Sequence, residues 1–190
     1  MRQLRDGFRL RHVQDPTTDL ALRNFSTGSD RHAQAVNELI GRQVTGEARH
    51  KARVVVMEQD DPLGETLGVA AWRTERLPGT NPSLPDVYIH ALGRSEQFCA
   101  HLLPDGRSVG HALLAETLID IARISGRASM PLVWAYVART NHKGHRLYDS
   151  FDFHHRRLRG GKRFTYLPRW VFPVRGDAIR FLPAHPLARC

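Results

Sequence analysis

Arg107-Ser108-Val109-Gly110-His111-Ala112 runs directly into Leu-Leu-Ala-Glu-Thr-Leu-Ile-Asp-Ile-Ala-Arg-Ile, residues 113–124. The second stretch has a helical period, with Leu114, Leu118, Ile121 and Ala122 on one stripe and Leu113 and Ile124 beside it, so a helix is predicted over Val109 to Ile124. A turn that opens a helix leaves backbone N–H groups unpaired and aimed at one spot, backed by the positive end of the helix dipole. An anion such as a phosphate is the natural occupant. Gly110 lets the backbone approach closely, Ala112 keeps the approach small, and Arg107 adds a charge-assisted contact. An ordinary helix start is the other reading of the same residues.

Outward from this loop, elements alternate in type. Upstream, Phe8 to Val13 alternates as a short first strand, broken at Asp15-Pro16. Asp30 caps a helix whose apolar residues Ala33, Val36, Leu39 and Ile40 have helical spacing, ending near Gly41 or Gly46. Arg53 to Glu58 and Leu67 to Arg73 are β-rich runs separated by the turn-forming residues Asp60 to Gly64. Pro78 to Pro85 is a loop, Val87 to Leu92 a fourth strand, and Arg94 to Gly106 is less regular. Downstream, Ser125-Gly126 ends the helix. Pro131 to Val137 contains no strongly polar residue, as a strand covered on both faces requires. A short helix from about Asn141 to Ser150 follows, and Phe151 to Arg157 and Arg163 to Leu167 flank the hairpin signal Gly160-Gly161. The order predicts a mixed α/β (α+β) domain with much antiparallel pairing.

The 190 residues and 41% hydrophobic content suit one domain, taken here as residues 1–170 with an irregular basic tail over 171–190. The charged N-terminal stretch and the absence of a long apolar run predict a cytoplasmic protein with no membrane partner. Cys99 and Cys190 form no spacing pattern and are read as free thiols. The net charge is +9, and Arg156, Arg157, Arg159, Lys162, Arg163, Arg169, Arg175, Arg180 and Arg189 crowd the last third. Such a field favours an acidic partner, whether nucleic acid, a phosphorylated cofactor or a membrane face, although a surface that simply prefers Arg has the same composition.

A second motif lies beyond the loop. Trp134 to Val137 leads to Asn141 and then to Arg146-Leu147-Tyr148-Asp149-Ser150-Phe151-Asp152-Phe153. Together the two stretches resemble the GCN5-related N-acetyltransferase superfamily, with its [QR]xxGx[GA] pyrophosphate loop, an Asn near the next helix start and an LYxxxGF-like closing motif. Arg107, Gly110 and Ala112 match the first, and Asn141, Leu147, Tyr148 and Phe153 the second. The resemblance covers Val87 to Phe153, and the N-terminal third by element order. Asp152 stands where the family has Gly, and Arg94 to Gly106 is longer and more polar than the family's link.

The resemblance implies a largely antiparallel, twisted sheet flanked by helices and splayed between the fourth and fifth strands. It implies an N-acetyltransferase that moves an acetyl group from acetyl-coenzyme A to a primary amine by direct attack in a ternary complex. The N–H groups of Val109, Gly110, His111 and Ala112, at the loop of Arg107 and Ser108, would cradle the pyrophosphate. Backbone groups near Leu92 would pair with the pantetheine amides, and an N–H there would stabilise the oxyanion. Asn141 would hold the pantetheine arm or cap its helix. Tyr148 is the family's acid for the leaving thiolate, being protonated at neutral pH. His90 and Glu96 are the candidate bases, with ordered water as the third route. His142, His145, His154, His155 and the pair Cys99 and His101 match no metal-ligand spacing, and no metal is expected.

Two other classes compete. Gly106 to Gly110 is also GxSxG, which would make Ser108 a serine-hydrolase nucleophile, but Leu102-Leu103-Pro104-Asp105 is a poor strand to lead into such an elbow. A nucleic-acid-binding module would use Arg156 to Arg163 interleaved with Phe164, Tyr166 and Trp170. A compound of both readings is open as well. Asn24 to Gly28, with Val36-Asn37 to Ile40, is loosely similar to the branch of the same superfamily that acts as toxins by acetylating aminoacyl-tRNA, with Thr27 where a Cys is common. Acceptor-side residues are expected in Gly41 to His50, Pro78 to Pro85 and Glu96 to Gly106.

Overall fold

Seven principal strands and four helices follow each other in a computed structural model that describes residues 2–3, 8–48, 51–60, 64–77, 86–103, 105–124, 129–157, 163–167 and 170–171. They are β1 (Phe8–Val13), α1 (Leu20–Arg23), α2 (Arg31–Val44), β2 (Arg53–Gln59), β3 (Thr66–Thr74) and β4 (Val87–Arg94), then α3 (Val109–Ile124), β5 (Val133–Tyr136), α4 (His142–Asp149), β6 (His154–Arg157) and β7 (Arg163–Leu167). The chain divides into two units, Met1–Arg73 with His90–Thr117 and Thr74–Ile89 with Leu118–Cys190. Both β4 and α3 pass through the boundary, so the backbone runs from one unit to the other inside regular structure. Pro78 to Pro85, Gly160-Gly161 and most of the proposed tail lie outside the described residues.

In the first unit the sheet order is β1-β2-β3-β4, with β1–β2 and β2–β3 antiparallel and Arg2–Gln3 added on the β1 edge. Alternation along β2 sends Val54 and Val56 to one face and Val55 and Met57 to the other. Val54 and Val56, with Val69, Ala71 and Ala91, meet Leu22 of α1 and Ile40 of α2. Val55 and Met57, with Phe8 and Leu10, meet Phe98, Leu103 and the first turns of α3 through Val109, Ala112 and Leu113. Each fully buried Leu or Val contributes about 1.5–3 kcal/mol. The register shifts between Met57 and Glu58, where Met57 faces Gly68 and Glu58 faces Thr66. Leu67 is thereby the extra residue of a bulge, which returns it to the same core as Ala70.

Two glycines allow the layers to close. A Cβ at Gly68 would stand 2.9 Å from Leu113 Cδ2, and one at Gly93 would stand 2.4 Å from Thr27 Cγ2 and 2.8 Å from Val36 Cγ1. On the sheet's outer strands, the carboxylate of buried Glu58 pairs with Arg9 (3.0 Å) and Arg11 (2.7 Å), and Arg11 also holds Asp19 at 2.5 Å. The paired carboxylates raise the Arg11 pKa, and the Arg11 contacts outweigh burial to hold Asp19 below the usual carboxylate range.

In the second unit the order is β4-β5-β7-β6. The β4–β5 pair is parallel and is registered from Val87↔Val133 to Ile89↔Ala135, whereas β5–β7 and β6–β7 are antiparallel. β4 continues to Arg94, and His90 is the first residue past the last registered pair. Tyr88 stacks on Trp134 at 4.2 Å between ring centroids, and Trp134 Nε1 donates to Glu75 O at 3.0 Å.

The structure departs from the sequence reading in six places. Leu20–Arg23 forms a helical turn capped by Asp19, where none was predicted. The fourth strand runs two residues beyond Leu92, and Glu96–Phe98 of the irregular stretch is a 3-10 turn. The fifth strand is Val133–Tyr136 rather than Pro131 to Val137, and Tyr136 is exposed, so only Val133 to Ala135 are covered on both faces. Phe151 and Asp152 form a turn before β6. Trp170–Val171, at the proposed domain limit, pairs antiparallel with Ser129–Met130.

Candidate functional site

The loop ahead of α3 is built by its own backbone. Leu103 N–H donates to Arg107 O and Gly106 N–H to Leu103 O, both at 2.8 Å, and Leu102 bridges Ser108. Gly106 has φ +82°, a conformation that glycine adopts without a Cβ penalty. Asp105 closes the turn twice, accepting the Arg107 N–H at 2.9 Å on Oδ1 and pairing with Arg107 Nε through Oδ2. Ser108 caps the helix, with Oγ 3.3 Å from His111 N and its carbonyl 3.0 Å from Ala112 N. Of the four amides expected to face an anion, those of His111 and Ala112 are therefore committed to Ser108. The amides of Val109 and Gly110 have no acceptor among the described residues. The His111 side chain is buried, and its pKa is lowered by desolvation first and by the Arg107 charge second.

Ser108 is consequently a capping residue. The stretch before it is a 3-10 turn and a single bridge, where a nucleophile elbow requires a buried strand, so the GxSxG match carries no hydrolase support.

The two candidate bases sit in different places in the first unit. His90 lines a cavity of ≈ 460 Å³ whose walls come mainly from the C-terminal part of α2, with Arg73 of β3. Glu96 is exposed and borders a larger cavity of ≈ 730 Å³ with Ser26, Glu65 and Thr66. Its N–H donates to Ser26 O at 3.1 Å, and Gly28, at φ +111°, leaves room for its side chain. Leu92 packs against the core beneath α3, as the β4 residue immediately before the Gly93 contact.

Thr27 is fixed by three hydrogen bonds: its N–H and Oγ to Asn37 Oδ1 (2.9 and 3.0 Å) and Oγ to Ala33 O (3.0 Å). This tie between the segment before α2 and the helix itself is the signal behind the Asn24 to Gly28 stretch, and sequence spacing did not reveal it.

In the second unit Asn141 is the N-cap of α4, its Oδ1 accepting Gly144 N–H at 2.8 Å. A Cβ at Gly144 would lie 2.8 Å from Asn141 Nδ2, which explains the glycine inside a helix. Tyr148 is buried near the end of the same helix, its ring edge-on to Phe153 at 4.9 Å. Phe151 and Phe153 both donate N–H bonds to Tyr148 O, at 3.0 and 3.2 Å. Asp152, between them, has φ +58°, the left-handed turn that the family's Gly would supply. Burial, with a smaller contribution from Tyr88, pushes the Tyr148 phenol far above its ordinary value, so it remains a proton donor. Among the described residues no group of three His, Cys, Asp or Glu side chains is placed to hold a metal, and no helix is long and apolar enough to cross a membrane.

This element order, the parallel β4–β5 pair registered as far as Ile89, and a capped turn opening α3 match the GCN5-related N-acetyltransferase fold. No family model matches the sequence, and no curated protein matches it. Among solved structures, the chain is similar to a Tyr-to-Phe mutant of the toxin AtaT bound to the C-terminus of the antitoxin AtaR and acetyl-CoA, with TM-score 0.61 and 18% identity over 86% of this chain and 94% of that one. It is similar to the KacTA–DNA complex, with TM-score 0.60 and 15% identity over 85% and 92%. AtaT complexed with acetyl-methionyl-tRNAfMet gives TM-score 0.60 and 16% identity over 85% and 94%. At these identities the likeness is one of fold.

Proposed function

We propose that the chain is an acetyl-coenzyme A-dependent N-acetyltransferase that acts on a primary amine by direct attack in a ternary complex, with residues 1–170 as its catalytic domain and 171–190 as a basic tail. The observation that carries this reading is the capped α3 start, where the Val109 and Gly110 amides have no acceptor among the described residues and Arg107 stands two and three places before them. That donor set fits a pyrophosphate. When bound, acetyl-coenzyme A supplies the acetyl thioester. Val109, Gly110 and Arg107 hold its phosphates, the His111 and Ala112 amides hold the helix start that aims them, and β4 near Leu92 offers backbone groups to its amide arm. Asn141 positions α4 and so Tyr148. The amine nitrogen forms the new C–N bond as the C–S bond breaks. The amine's proton leaves to His90, Glu96 or water, and the Tyr148 phenol protonates the departing sulfur.

The acceptor is an amine on a molecule that tolerates a cationic protein. The net charge of +9 and the fold shared with a toxin solved with acetyl-methionyl-tRNAfMet favour a charged tRNA as the acceptor to test first. Isothermal titration of acetyl-coenzyme A into wild type and Gly110→Trp tests the central reading. Micromolar-range binding that the indole abolishes is the expected result, and unchanged binding would remove the loop from the site.

A further inference from the structure

The cavity at His90 has a charge arrangement that the acetyl-transfer reading does not use. Leu39, Arg42 and Gln43 come from the last turns of α2, Glu47 from the segment after it, Arg73 from β3 and His90 from β4. Its ≈ 460 Å³ is the size of a small-molecule site. The carbonyls at this helix end are already satisfied, Gly41 O by Thr45 N–H at 2.9 Å, Arg42 O by Ala48 N–H at 3.0 Å and Gln43 O by Gly46 N–H at 3.4 Å. The negative end of α2 is thus damped, and the side chains set the field. Arg42 holds Glu38 one turn back in an exposed ion pair, which water and salt weaken and a bound anion can replace. His90 is the first β4 residue beyond the last registered pair with β5, so the cavity contains the candidate base nearest in sequence to the end of that pairing.

Arg42, Arg73, Glu47 and His90 all contribute to the wall of this one cavity, and residues of both charge signs match a ligand that bears both. We propose that this cavity is the acceptor subsite, and that it selects primary amines carrying a phosphate or carboxylate on the same molecule. Arg42 and Arg73 receive the anionic group, and Glu47 and His90 face the ammonium, with His90 taking the proton that the amine loses. The inference rests on the acetyl-transfer reading and adds to it the charge of the substrate. It also ranks His90 above Glu96 as the base, because the Glu96 cavity has carboxylates from Glu65 and Glu96 and, among the described residues, no cationic side chain in its wall.

The test uses the full chain and three probes of similar length: O-phosphoethanolamine, β-alanine and propylamine. Acetylation is followed by thiol release, and acetyl-coenzyme A binding is titrated separately. Wild type should prefer one or both anionic probes over propylamine by about tenfold in kcat/KM, one charge-assisted contact's worth. The ratio of the first two tells phosphate from carboxylate. Arg42→Gln combined with Arg73→Gln should erase the preference through KM while acetyl-coenzyme A affinity and Tm stay unchanged, and Arg42→Lys with Arg73→Lys should restore part of it. An equal rate for propylamine in wild type, a preference that survives the double Gln variant, or no use of the anionic probes at millimolar concentration would overturn the subsite. Loss of acetyl-coenzyme A binding itself would instead overturn the acetyl-transfer reading on which it rests.

Discussion

Asp105 holds Arg107 at two points, through the backbone N–H at 2.9 Å and through the guanidinium. Arg107, two residues before α3, is therefore partly neutralised by a residue two places away. An incoming phosphate competes with that carboxylate for the same guanidinium. Asp105→Asn retains an oxygen for the Arg107 N–H and removes the charge, so acetyl-coenzyme A should bind about two- to fivefold more tightly at low salt, the gain shrinking as salt rises. Titration at two ionic strengths checks this, and weaker binding would show the ion pair to be a positioning device.

Tyr148→Phe should lower kcat by roughly 10- to 1000-fold with little change in acetyl-coenzyme A affinity, the scale of a lost proton donor. Because burial raises the phenol pKa, Tyr148 should contribute no alkaline limb to the wild-type kcat profile through pH 9. A fully active phenylalanine variant would assign the proton to water.

His111 gives the fold an acid-sensitive point. Its folded pKa lies below the ordinary 6.5, so the unfolded chain binds the proton more readily. Stability is complete above about pH 6.5 and falls as pH drops from there towards the folded pKa. Thermal melting should show Tm declining between pH 7.5 and 5.5, and His111→Gln should flatten that slope. An equal slope in the variant would place the acid sensitivity elsewhere.

Asp152 adopts φ +58° with an L side chain. Asp152→Gly should stabilise the protein by about 0.5–1 kcal/mol, since relief of the left-handed strain exceeds the entropy that glycine adds to the unfolded chain. Denaturant melts measure it, and a destabilised variant would mean that the Asp152 side chain makes a compensating bond.

Gly93→Ala should cost about 1–3 kcal/mol, because its methyl meets Thr27 Cγ2 and Val36 Cγ1 at distances no packed core tolerates. Thr27→Ser removes the nearer carbon and retains the hydroxyl bonds to Ala33 and Asn37, so the double variant should recover part of the loss. Simple additivity of the two substitutions would locate the strain at Val36.

Local chemistry explains which features were readable in advance. The stripe along α3, the Asp30 and Asn141 caps and the alternation of β1 are written within a few residues, and the structure reproduces them. Leu67 is different, because a bulge depends on how β3 meets β2 and leaves no trace in β3 alone. α1 has only four residues and exists because Asp19 caps it while holding Arg11, a contact spanning eight positions. The turn into α3 was legible from Gly106 to Gly110, but the commitment of the His111 amide to Ser108 Oγ depended on a side-chain rotamer. Arg42, Glu47 and Arg73 carried no motif, since three segments far apart in sequence build their cavity.

The close approach of Leu113 to Gly68 has a consequence at some distance from either residue. Leu113 lies one turn into α3, three residues after Gly110, so the absence of a methyl on β3 sets the height at which the helix start rides above the sheet. Gly68 is in effect the datum plane for the Val109 and Gly110 donors. A single added carbon there, far from either amide in sequence, would tilt those donors, and with them the proposed grip on phosphate, from beneath.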